Sequence, residues 1–87
     1  MFDDAAGLTL SHARQLMVAH RSEEAFRLVS HLTVREPDNV EAWLFLAFYY
    51  MDFDYRRALD AWKQIARLRP DDATARDAID SLSSFLA

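Results

Sequence analysis

The run Ala42-Trp43-Leu44-Phe45-Leu46-Ala47-Phe48-Tyr49-Tyr50-Met51 contains no charge, no glycine and no proline. It falls short of the roughly 20 apolar residues that a helix needs to cross a bilayer. Leu, Ala and Met favour helix, and the flanks carry helix punctuation rather than hairpin turns. A helix that is apolar on every side must be covered on every side. With 87 residues available, either the rest of the chain wraps this helix or one face is left for another protein.

Composition sharpens that choice. A chain of this length is one domain, and such small domains bury only about 60% of the surface that the unfolded chain exposes. Yet 52% of the residues are hydrophobic and 13% aromatic, an apolar surplus for so small a body. One glycine (Gly7) and two prolines (Pro37, Pro70) argue against a turn-rich β architecture. The absence of cysteine excludes disulfides and thiolate metal sites. Met1 to Ala6 lack the basic region and apolar core of a secretory signal, so a cytoplasmic location is expected. The net charge of −4, with both signs interspersed, argues against nucleic acid as a partner. Nine arginines to one lysine reflect a bias of the encoding genome, such as that of a GC-rich bacterium.

The two prolines mark a repeat. Pro37-Asp38 recurs as Pro70-Asp71, 33 residues on, and the same shift pairs Leu10 with Trp43, Ala13 with Leu46 and Met17 with Tyr50. It also pairs Ala25 with Ala58, Val29 with Trp62 and Leu32 with Ile65. Self-similarity at this period signals stacked units, none of which covers its own apolar face. Each unit reads as two helices. The first runs from about Leu8 to Ala19 and breaks at His20-Arg21. Ser22 reads as the N-cap of the second, with Glu23 and Glu24 favourable to its dipole; Ala25, Leu28, Val29 and Leu32 share one face before Pro37. Asp38 followed by Glu41 resembles a capping box for the apolar helix, which ends near Met51-Asp52. Asp54 caps a fourth helix with Ala58, Ala61, Trp62 and Ile65 inward. A fifth begins after Asp71-Asp72, with Ala75, Ala78, Ile79, Leu82 and Leu86 on one side and Asp77, Asp80, Ser81 and Ser84 on the other.

Trp43-x-x-Leu46-Ala47-x-x-Tyr50, then Ala58-x-x-x-Trp62, then Pro70 resembles the tetratricopeptide repeat (TPR) pattern Trp-x-x-Leu-Gly-x-x-Tyr…Ala-x-x-x-Phe…Pro. Asp54-Tyr55 also resembles the family. In the first unit only Ala25 and Pro37 are typical, and the spacing is 33 rather than roughly 34. In the third, Arg76 and Asp80 stand where Trp and a small residue belong, so that segment resembles a solvating cap. The resemblance implies an all-α, TPR-like solenoid of helical hairpins in a single domain. Repeat one would span about residues 8–37, repeat two about 38–70 and the capping helix about 72–86, with a right-handed superhelical turn. Trp43, Tyr50, Ala58 and Trp62 would be structural.

In TPR arrays the first helices of successive repeats line a concave groove. Trp43, Leu46, Ala47 and Tyr50 form the packing stripe of the apolar helix, leaving Glu41, Leu44, Phe48 and Met51 at i, i+3, i+7 and i+10. The matching stripe in the first repeat is Leu8, Ser11, Gln15 and Val18. By the resemblance these eight are the partner-binding groove, and Leu44, Phe48 and Met51 would make an apolar floor for an amphipathic helix. The alternative is that the C-terminal helix, or a second copy of the chain, folds over them.

Other chemistry has no residues to carry it. Co-chaperone TPR proteins grip terminal carboxylates with Lys, Arg and Asn, where this chain has Leu44, Phe48, Ser11 and Gln15. His12, His20 and His31 fall at no metal-ligating spacing, and one glycine cannot make a phosphate loop. Asp52 and Asp54 sit at a helix junction, where carboxylates cap. Arg56, Arg57, Lys63 and Arg67, interleaved with Asp60, read as a solvated face. No catalytic residue, metal or cofactor is therefore expected, and no enzyme. The expected function is a protein-protein interaction module, a small chaperone or adaptor gripping a partner's amphipathic helix. Such a chain is similar to the bacterial type III secretion chaperones that sequester needle subunits. The alternative is a self-associating scaffold or permanent subunit of a larger complex, with the groove as its interface.

Overall fold

The computed structural model describes residues 5–87. Met1 to Asp4, part of the segment read above for a leader, lie outside the described residues. The described residues form five helices and no strand: α1 (Ala5–Val18), α2 (Ser22–Arg35), α3 (Val40–Tyr50), α4 (Tyr55–Leu68) and α5 (Ala73–Leu86). The protein is all-α. It divides into two compact units between Pro37 and Asp38. In the first, α1 packs on α2; in the second, α4 packs on both α3 and α5.

In the first unit, α1 buries Leu10, Ala13 and Leu16, and α2 buries Ala25, Val29, Leu32 and Thr33. Thr33 is the one polar side chain in this set, and its hydroxyl donates to the Ser30 carbonyl at 2.8 Å. Two helix starts differ from expectation. α1 begins three residues before Leu8, because Ala5 and Ala6 favour helix without adding to its apolar stripe. Ser22 is already helical; Arg21 occupies the cap position and offers no side-chain cap. Its guanidinium instead clasps Glu24 through two hydrogen bonds of 2.8 and 2.7 Å. That bond holds the exposed Glu24 carboxyl below its usual range, so its small contribution is present at neutral pH and lost as pH falls through the lowered value.

α1 stops at a Schellman turn. The Arg21 N–H donates to the Leu16 carbonyl at 2.8 Å and the His20 N–H to the Met17 carbonyl at 3.1 Å. This geometry puts His20 in the left-handed region, at φ 62°, where a side chain costs about 1–2 kcal/mol. His20→Gly is therefore expected to stabilise the first unit by up to about 1 kcal/mol, the rest being offset by glycine's freedom when unfolded. A lowered denaturation midpoint would instead show that the imidazole itself stabilises the turn.

The second unit is capped as a repeat would be. Asn39 accepts from the Ala42 N–H at 3.1 Å, Asp54 from Arg57 at 3.1 Å and Asp72 from Ala75 at 3.0 Å. The expected Asp38–Glu41 capping box is thus replaced by Asn39, whose extended backbone places it at the turn into α3. Asp38 reaches Arg67 instead, at 3.7 Å. α4 buries Ala58, Ala61, Trp62 and Ile65, the four expected residues. On α5 Ala75 and Leu82 are buried and Ala78, Ile79 and Leu86 half-buried, with Asp77, Asp80, Ser81 and Ser84 exposed.

The 33-residue interval runs through these local structures. α2 and α4 begin and end 33 residues apart, and so do the starts of α3 and α5. The side-chain caps Asn39 and Asp72 obey the interval. So do the C-cap bonds Glu36 N–H to Leu32 carbonyl (2.8 Å) and Arg69 N–H to Ile65 carbonyl (2.7 Å). Ala25 and Ala58, and Leu32 and Ile65, are fully buried.

Candidate functional site

α3 is the helix from which a site can be built. Its buried side is Ala42, Leu46 and Ala47, while Trp43 and Tyr50 of the expected packing stripe are half-buried. Glu41, Leu44, Phe48 and Met51 fall on the opposite side. Glu41 is exposed, Leu44 half-buried, Phe48 61% exposed and Met51 36% exposed. For an apolar ring on a folded chain, 61% is a large exposure. Phe48 is not free of the fold, however. Its ring meets Trp62 of α4 edge to face, with centroids 5.4 Å apart and planes at 83°.

Trp62 is almost wholly buried, and its indole Nε1–H has no hydrogen-bond partner. It therefore contributes by shape and apolar area alone, and it supports Phe48 from beneath. The outer stripe of α3 is thus one charged residue at the N-terminal end followed by an apolar track. In the first unit, Leu8 (72%), Ser11, Gln15 and Val18 (82%) share the face of α1 opposite Leu10, Ala13 and Leu16, and all four are exposed. Each unit brings its own four expected residues onto one face.

Two aromatic groupings were not expected from the sequence. Tyr49, Tyr50 and Phe53 meet edge to face around the α3–α4 turn, Phe53 lying 5.0 Å from Tyr49 and 6.0 Å from Tyr50. Arg57 sits 5.9 Å from the Tyr50 ring centroid and 3.4 Å from Asp54. Phe85 of α5 meets Tyr55 of α4 at 5.1 Å. Phe53 and Phe85 remain 63% and 69% exposed. The signal for Phe85 was its place on neither the apolar stripe nor the Asp77/Asp80/Ser81/Ser84 side of α5.

Two shallow clefts lie among the described residues. One of about 420 Å³ lies between α4 and α5, beside Arg56, Leu59, Lys63 and Leu86. The other, of about 200 Å³, lies between α1 and α2 and brings His12 and His31 beside Leu16, Glu24 and Leu28. Among the described residues no three His, Cys, Asp or Glu side chains converge to hold a metal. None of the described helices is long and apolar enough to cross a membrane.

No protein-family model, curated protein or solved structure matches this chain.

Proposed function

We propose that the chain is a protein-interaction module of the TPR kind, whose α3 face receives the apolar side of a partner's amphipathic helix. The observation that carries the reading is the exposure of Phe48 and Met51, with Leu44 half-exposed, on one stripe of a helix whose opposite stripe is buried. Partner anchors at i, i+3/i+4 and i+7 suit such a track. Glu41 belongs to the same proposed track on α3, and Leu8, Ser11, Gln15 and Val18 are proposed as a partner-binding face of the first unit taken by itself. A small bacterial chaperone or adaptor working in the cytoplasm fits this reading. Its specific form would be one that shields a type III secretion subunit. The reading involves no catalysis, metal or cofactor.

The test is Phe48→Glu. The isolated chain is expected to lose only about 0.5–1.5 kcal/mol with the ring pair, while the complex weakens by about 2 kcal/mol or more, as at a central anchor. A photocrosslinking residue at position 48 should capture the partner, and one at Asp77 should not. If Phe48→Glu unfolds the chain, the face is covered by its own protein; if the partner is retained at full affinity, the track is not its seat.

A further inference from the structure

We infer that the cleft between α4 and α5 binds a phosphomonoester with an apolar body. This site does not depend on the function proposed for the outer stripe of α3. The cleft, of about 420 Å³, gathers donors from both helices: Arg56 and Lys63 from α4, and Ser83 from α5. All three residues are exposed. Leu59 and Leu86, each half-buried, give the same cleft an apolar wall. Arg56 and Lys63 stand two helical turns apart, with Leu59 between them on the same side of α4.

The two cations are uncommitted. Asp60 follows Arg56 by four residues and precedes Lys63 by three, spacings at which ion pairs form on a helix. Elsewhere in the chain such pairs do form: Arg21–Glu24 at 2.7 Å, Arg27–Glu23 at 3.8 Å and Arg57–Asp54 at 3.4 Å. Among the described residues neither Arg56 nor Lys63 has an ion-pair partner, and the Ser83 hydroxyl has no hydrogen-bond partner. Asp60, the one side-chain carboxylate lining the cleft, opposes an anion but is outnumbered by the two cations. Arg56 also stands in the first turn of α4, where the helix dipole disfavours a cation and favours an anion. A guanidinium fork, an ammonium and a hydroxyl match the three free oxygens of a phosphomonoester, one donor group to each. A carboxylate offers only two. The ester oxygen then carries the apolar body over Leu59 and Leu86. At a net charge of −4 the chain as a whole repels anions, so the attraction must be local to this cleft.

Titration of the full chain with phenyl phosphate, inorganic phosphate and benzoate, followed by amide and methyl resonances, tests this. It is run at constant ionic strength and about pH 7.5, where the phosphate is mostly a dianion. Phenyl phosphate should shift the signals of Leu59, Ser83 and Leu86 saturably, with a Kd of about 1–5 mM for so small a ligand. Inorganic phosphate, lacking the apolar body, and benzoate, lacking an oxygen, should each bind more weakly. Arg56→Gln and Lys63→Gln should each raise the phenyl phosphate Kd roughly two- to five-fold, as expected for an exposed ion pair. Asp60→Asn should lower it, and Arg35→Gln in the first unit should leave it unchanged. All four positions are exposed, and unchanged helical content will show that the variants fold. Saturation only above about 20 mM, or a Kd indifferent to Arg56→Gln and Lys63→Gln, means an adventitious ion only and overturns the inference. Benzoate or inorganic phosphate binding as tightly as phenyl phosphate equally overturns it.

Discussion

Trp62→Ala is expected to destabilise the second unit by about 3–5 kcal/mol, the range for truncating a large aromatic in a core. Trp62 is 3% exposed and shares its face of α4 with Ala58, Ala61 and Ile65, all buried. Two alanines and a branched side chain cannot expand to fill the space that an indole leaves. The substitution also withdraws the surface on which Phe48 rests, 5.4 Å away, so the outer track of α3 should loosen with it. Trp62→Phe separates size from polarity. It keeps a ring and removes an N–H that is buried without an acceptor, a group whose burial alone costs about 1–3 kcal/mol. Relief of that cost should offset much of the lost area, leaving a net loss below about 1.5 kcal/mol. If Trp62→Ala moves the denaturant midpoint by no more than a surface change, the packing assigned to α4 is wrong.

Leu32→Ala should cost the first unit about 2–5 kcal/mol. Leu32 has no exposed surface, and Ala25 and Val29 on the same face of α2 have none either. Its own carbonyl accepts the Glu36 N–H that closes the helix, so the backbone around the new cavity is held and collapses little. Ile65→Ala tests the residue 33 positions on, which is equally buried and closes α4 in the same way. A loss under about 0.5 kcal/mol, as at a surface site, would show that α2 packs through another face.

The helices were legible where apolar residues recur at three and four. Ala58, Ala61, Trp62 and Ile65 were read as inward from spacing alone, and all four are buried. The caps were less legible because adjacent residues competed for the role. Asp38 and Asn39 can both accept from a helix N-terminus, and the extended backbone at Asn39 (φ −80°, ψ 98°) decided between them. Ser22 lost the same contest to the path of the chain through the Schellman turn. The outer side of α3 could not be read from hydrophobicity, since every side of that helix is apolar; family spacing selected it. The ring contact beneath Phe48 joins two helices, and no one-helix pattern encodes it. Phe53 gave no warning either, because a turn residue belongs to no periodic stripe.

The division of the chain at Pro37 has an optical consequence. Both tryptophans and all three tyrosines follow Asp38, and residues 1–37 contain neither type. Near-ultraviolet fluorescence therefore watches α3, α4 and α5 alone, whereas far-ultraviolet ellipticity sums the helices of both units. Superimposed curves in denaturant would mean that the two units melt as one cooperative body. Displaced curves would assign each unit its own free energy, and the α1–α2 pair, which lacks tryptophan and tyrosine emission, would then be the difference between the two signals.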